Sequence, residues 1–196
     1  MKILFLLFSY FLGTIPTGYL FFWITDKKDI RNFGSGSTGA TNLFRLKGWK
    51  LALPAILVDI LKGAVPAYLA LQLFSDLRIA ILAGFLAVLG HCFPAYLKFK
   101  GGKGVATTVG VFIILAFKPF LISLAIFIIV IAISRYVSLG SLLSILSYPF
   151  LIMIFHKGEE TLFLSMAISI LIAARHAGNI KRLIQGTERK FGEKEK

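Results

Sequence analysis

Residues 105 to 134 read VATTVGVFIILAFKPFLISLAIFIIVIAIS, an apolar stretch broken by one charge, Lys118, and followed at once by Arg135. As one long tilted helix it crosses a bilayer once. Split at Phe117-Lys118-Pro119 it crosses twice, and every later segment changes side. The choice is decided by charge, because cytoplasmic loops of membrane proteins carry the Lys/Arg excess. With the stretch split, Lys27, Lys28, Arg31, Arg45, Lys47, Lys50, Lys98, Lys100, Lys103, Arg135, Arg175, Lys181, Arg182, Arg189, Lys190, Lys194 and Lys196 share one face. Lys2, Arg78, Lys118 and Lys157 are left on the other, a division of seventeen to four with Lys62 inside a span. Unsplit, the division is ten to ten, with Lys62 and Lys118 both in the membrane.

The surrounding sequence fits the split reading. The chain has 196 residues, 57% of them hydrophobic, with a mean hydropathy of +0.83. Soluble domains run nearer 45 to 50% apolar. A crossing helix needs about 20 mainly apolar residues, and segments near that size fall at about 3–25, 51–74, 77–97, 105–117, 119–134, 142–155 and 161–175. The fold class expected is therefore all-α: a polytopic membrane protein of seven transmembrane helices, N-terminus outside and C-terminus cytoplasmic, in a single domain over 1–196. The N-terminal segment reads as a retained span, since its apolar run continues to Ile24 without a small-residue cleavage site. The fourth span is short at about 20 Å of a core about 30 Å thick. Either its helix begins earlier or the glycine-rich loop before it dips into the membrane.

The formal charge of +13 reads as an orientation signal and an attraction for anionic lipid. Nucleic acid is not an expected partner, because no aromatic-basic stripe or known module is present. One cysteine, Cys92, excludes an internal disulfide. Asp26, Asp29, Asp59 and Asp76 do not form a ligand set, so neither metal nor cofactor is expected. Asp59 and Lys62, three apart in the second span, read as an ion pair or an anchor for the first loop. The charged tail after Gly186, including Glu188, Arg189, Lys190, Glu193, Lys194, Glu195 and Lys196, reads as a solvated cytoplasmic end.

On the split topology three polar clusters face the cytoplasm. The first runs from Gly34 through Ser35, Gly36, Ser37, Thr41 and Asn42 to Arg45. Its glycines let backbone N–H groups approach phosphate oxygens, Ser35, Thr41 and Asn42 add donors, and Arg45 can grip two oxygens; a flexible amphipathic loop has the same composition. In the second, Gly101-Gly102-Lys103-Gly104 opens directly into an apolar helix, a nest for an anion at a positive helix end. It lacks the spacing of a nucleotide P-loop. His91, just before Phe93-Pro94, suits a base, a phosphate donor or a residue fixing a kink. In the third, His176, Asn179 and Arg182 share a face if the last helix continues. Ser138 and Ser141 read as caps of the sixth helix, with Ser141 a candidate substrate contact.

At these residues the chain resembles the bacterial acyl-phosphate:glycerol-3-phosphate acyltransferases, the PlsY family. The family's three motifs correspond to Gly34 to Arg45, Gly90 to Thr107 and His176 to Glu188, in order along the whole chain. Ser37 departs from them, standing where the pattern usually has Asn. The resemblance implies transfer of a fatty acyl group from acyl phosphate to the 1-hydroxyl of glycerol 3-phosphate, giving lysophosphatidic acid and inorganic phosphate without acyl-CoA or acyl carrier protein. It places the protein in the bacterial inner membrane with a cytoplasmic site. The His-x-x-x-x-Asp pair of other acyltransferases is absent: five positions after His91, His156 and His176 stand Tyr96, Thr161 and Lys181.

The expected assignments follow. Gly34, Ser35, Gly36 and Gly101 to Gly104, with Lys103, bind acyl phosphate. Arg45, Thr41, Asn42, Ser141, His176, Asn179 and Arg182 bind glycerol 3-phosphate. His176, Lys103, Ser35 and Arg45 carry catalysis, with His91 a further candidate and His176 or a substrate phosphate taking the proton. The partners are the two substrates and membrane lipid, and the chain is read as a monomer. The rival reading is a small-anion transporter or channel with a basic cytoplasmic vestibule, weakened by the lack of repeat halves.

Overall fold

The computed structural model describes residues 1–193; Lys194, Glu195 and Lys196, assigned above to a solvated end, lie outside the described residues. Every regular element among them is helical. The helices are α1 (Lys2–Thr14), α2 (Thr17–Asp26), α3 (Ala40–Lys47), α4 (Trp49–Phe74), α5 (Leu77–Cys92), α6 (Val105–Leu115), α7 (Phe117–Ser134), α8 (Val137–Ile154), α9 (Glu159–Arg175) and α10 (Ala177–Ile184). Among the described residues four segments, Trp49–Phe74, Leu77–Leu97, Phe117–Ser134 and Val137–Ile154, are long and apolar enough to cross a membrane. There are six if the bent pairs α1 with α2 and α9 with α10 each count as one span.

The stretch 105–134 is two helices, parted at Ala116, whose φ of −151° and ψ of 63° are not helical. With 11 residues, α6 is about 16 Å long, even shorter than the expected 105–117. The expected continuous first span is broken instead. Pro16 has no N–H to donate and disfavours helix at Ile15, so α1 and α2 meet at 41°. The last helix does not continue either: it bends by 61° at His176. The sixth begins at Val137, not 142, which moves Ser138 and Ser141 from its cap into its first turns.

By its internal contacts the chain divides into two compact units, with the boundary between Val111 and Phe112. In the first, α1, α4 and α5 pack most closely. A Cβ on Gly13 would overlap the Ala87 carbonyl, and one on Gly90 the Tyr10 carbonyl, so α1 and α5 touch backbone to backbone. Small residues allow such contacts where lipid supplies no hydrophobic drive between helices. Phe22, Ile30, Leu43 and Ala55 form a buried cluster that ties α2, the first polar loop, α3 and α4 together. In the second unit α7, α8 and α9 pack in sequence. The hydroxyl of Ser123 donates to the Ser144 carbonyl at 2.8 Å, that of Ser169 donates to Ile145 at 3.0 Å, and Phe112 stacks on Tyr148.

Candidate active site

In the first unit, the loop before α3 is shaped by Asn42. Its Oδ1 accepts the Ser35 N–H at 2.9 Å, and its amide nitrogen donates to the carbonyls of Phe33 at 3.1 Å and Ser37 at 2.9 Å. Asn42 is 1% exposed, so it holds the loop, where the sequence suggested a phosphate donor. Gly34 and Gly36 have φ of 61° and 71°, a region side chains disfavour, which explains the glycines. Ser35 and Thr41 are exposed, and Arg45, one helical turn after Thr41, is half-buried on the same face of α3. Asp29 grips Arg31 at 2.6 Å, and Arg31 donates to the Leu97 carbonyl at 3.3 Å, tying the first loop to the second. The Arg31 guanidinium holds the Asp29 carboxyl below its ordinary value, although burial acts the other way.

The second loop turns back on the end of α5. Lys98 and Phe99 both take positive φ, and the N–H groups of Gly101 and Gly102 then donate to the carbonyls of Cys92 at 3.2 Å and His91 at 3.0 Å. Those two amides therefore fold the loop, and Lys103 and Gly104 lead from it into α6. Gly104 accepts the Thr108 N–H at 2.9 Å.

His91 is buried beside the Asp59–Lys62 pair. Lys62 Nζ reaches Asp59 Oδ1 at 2.6 Å, the Ile15 carbonyl at 2.6 Å and His91 Nδ1 at 3.3 Å, while the Thr17 hydroxyl donates to Asp59 Oδ1 at 2.9 Å. The pair expected from the i, i+3 spacing is present. Its links to Ile15 and His91, distant in sequence, are visible only in the fold.

In the second unit the organising residue is Glu188, part of a segment whose composition reads as a solvated tail but whose carboxylate is engaged by three donors. The chain turns at Gly186, where φ is 67°, and returns Glu188 to α8 and α10. Glu188 Oε1 accepts from the Ser138 hydroxyl at 2.8 Å and the Asn179 amide at 2.7 Å, and Oε2 accepts from Arg182 Nε at 2.7 Å. Burial pushes its carboxyl up, but these three donors and the Arg182 charge outweigh burial and hold it below its ordinary value. The available signal was its position at the end of the third motif. Asn179 and Arg182 share a face of α10, and His176 sits at the bend before them. His176 Nδ1 lies 2.9 Å from the Ile172 carbonyl. A carbonyl only accepts, so Nδ1 carries a proton. Ser141 donates back to Val137 at 2.9 Å. Among the described residues no three His, Cys, Asp or Glu side chains group as metal ligands.

A family model described as glycerol-3-phosphate acyltransferase matches residues 3–186. The chain belongs to this family. It is 43% identical over 97% of its length to the glycerol-3-phosphate acyltransferase of Endomicrobium trichonymphae, covering 96% of that protein. To the enzyme of the same name from Syntrophotalea carbinolica it is 42% identical, covering 95% of each. Two crystal structures of PlsY, described as an integral membrane glycerol 3-phosphate acyltransferase, are also similar. The glycerol 3-phosphate form has a TM-score of 0.93 at 36% identity, covering 97% of this chain and 96% of that one. The lysophosphatidic acid form has a TM-score of 0.88 at 35% identity, covering 97% and 95%.

Proposed function

We propose that the protein transfers a fatty acyl group from acyl phosphate to the 1-hydroxyl of glycerol 3-phosphate, releasing lysophosphatidic acid and inorganic phosphate. The observation that carries this is the near full-length likeness to an acyltransferase crystallised with glycerol 3-phosphate. Family membership favours it over an anion channel. The donor reading rests on chemistry: acyl phosphate is an activated mixed anhydride, so catalysis needs positioning and charge stabilisation more than a strong nucleophile.

Gly34, Ser35, Gly36, Lys103 and Gly104 hold the acyl-phosphate head, with Gly101 and Gly102 shaping the loop. Lys103 stabilises phosphate as it leaves. Arg45, Thr41, Ser141, His176, Asn179 and Arg182 hold glycerol 3-phosphate, with Asn42 shaping the loop before Arg45. The 1-hydroxyl oxygen bonds to the acyl carbon, the bond from that carbon to the phosphate oxygen breaks, and the phosphate takes the electron pair. His176 Nε2 takes the hydroxyl proton. The chain works as a monomer in one catalytic domain of the bacterial inner membrane, with seven spans counting α6, the N-terminus outside, and the site and C-terminus cytoplasmic. It uses no cofactor.

The test is to mix purified protein with acyl phosphate and glycerol 3-phosphate, without metal or thioester, and to measure phosphate and lysophosphatidic acid. One phosphate per acyl transferred supports the reading. Equal turnover with acyl-CoA would overturn the choice of donor.

A further inference from the structure

We infer that His91, held by Lys62 and Asp59, is a positioning residue that fixes the loop carrying Lys103, and that it does so through Nδ1 without taking part in proton transfer. The three N–H groups of the Lys62 ammonium each have an acceptor: Asp59 Oδ1, the Ile15 carbonyl and His91 Nδ1. An ammonium has no lone pair to offer, so Nδ1 accepts and the ring proton is on Nε2. Asp59 Oδ1 is farther from Nδ1, at 3.7 Å. Asp59 and Lys62 are each 2% exposed and His91 8%, so the array is shielded from solvent and its hydrogen bonds are correspondingly strong.

The array meets the loop at two points. The His91 carbonyl accepts the Gly102 N–H at 3.0 Å, and the ring lies so close to Gly102 that a Cβ there would overlap Nε2. Lys103 is the next residue. Ring orientation is set by Lys62, loop position is set by the ring and its carbonyl, and the Lys103 ammonium is placed as a result.

This inference rests on the reading in which Lys103 holds the acyl-phosphate head, so Lys103→Ala is measured first. Wild-type turnover there removes that reading and the inference with it. Given a Lys103 defect, the test compares His91→Asn, whose amide oxygen can stand near Nδ1, with His91→Gln, whose amide reaches toward Nε2, and with His91→Ala. Each is purified, its melting temperature recorded, and kcat and KM measured for both substrates. His91→Asn is expected to keep at least a third of wild-type kcat. His91→Ala and His91→Gln are expected to lose about tenfold or more in kcat/KM for acyl phosphate while KM for glycerol 3-phosphate stays within about twofold. General loosening would shift KM for both substrates. His91→Asn as inactive as His91→Gln, with both folded, would show that the ring itself does chemistry and overturn the inference. Full activity in His91→Gln would overturn it as well. The Asn and Gln pair carries the test even if His91→Ala does not fold.

Discussion

His91 and His176 are both more than nine-tenths buried and both stand at the end of an apolar helix, yet their rings are wired in opposite directions. At His91 the neighbour of Nδ1 is an ammonium, which makes that nitrogen an acceptor already in use. At His176 the neighbour of Nδ1 is a carbonyl, which makes that nitrogen a donor. The same side chain is a support in one unit and a candidate base in the other. What separates them is the single atom opposite Nδ1.

The contrast can be broken most directly at His176. His176→Ala is expected to lower kcat by about 10²- to 10⁴-fold, the usual worth of a positioned general base, and to flatten the acidic limb of the pH-rate profile. A profile with the same limbs would hand the proton to a substrate phosphate oxygen. At the other ring the corresponding break is structural. Lys62→Met leaves Asp59 as a buried, uncompensated carboxylate and should cost about 3 to 5 kcal/mol, read as a lower melting temperature in detergent. Asp59→Leu combined with Lys62→Met should regain most of that stability but not the placement of Lys103, so activity stays low. Recovery of activity along with stability would mean the loop does not depend on this pair.

Glu188 sharpens the contrast with a smaller effect. Glu188→Gln keeps an oxygen for Ser138 and Asn179 but sets an amide against Arg182, and is expected to cost about 1.5 to 3 kcal/mol. It should raise KM for glycerol 3-phosphate more than KM for acyl phosphate. The smallest effect is with pH. Because the folded carboxyl titrates below its ordinary value of 4.5, its stabilisation is present above that value and is lost as pH falls through the folded one. Melting curves between about pH 6 and pH 3 should therefore fall more steeply for wild type than for Glu188→Gln. Parallel curves would remove Glu188 from the acid response.

The apolar segments, the break in residues 105–134 and the three polar clusters are legible in the sequence, because apolar runs and loop charge are local properties. Pro16 lies inside a hydrophobic run that reads as one span, and that run hides the bend between α1 and α2. Asp59 and Lys62 pair across one helical turn, so spacing sufficed for them. The His91 contact depends on how α4 and α5 pack and has no signature in spacing. Ser138 shows why residue type alone misleads: a serine near a helix start can cap it, but a start at Val137 points this hydroxyl at Glu188 instead. Glu188 itself was masked by charged neighbours. Its burial follows from the turn at Gly186, and composition does not report a turn's direction. Asn42 stands in the loop that the sequence marks, and its amide there bonds backbone, a use that residue type does not distinguish from a substrate contact.

The tetrahedral head of Lys62 behaves like a monovalent cation seated in a cage of acceptors, with the difference that this ion is tethered to the chain. A tethered ion is neither diluted away nor exchanged for another, so the second loop should keep its shape whatever the salt composition outside. It also makes arginine a poor replacement despite equal charge, because a flat guanidinium cannot aim three hydrogens from one nitrogen toward three separate acceptors.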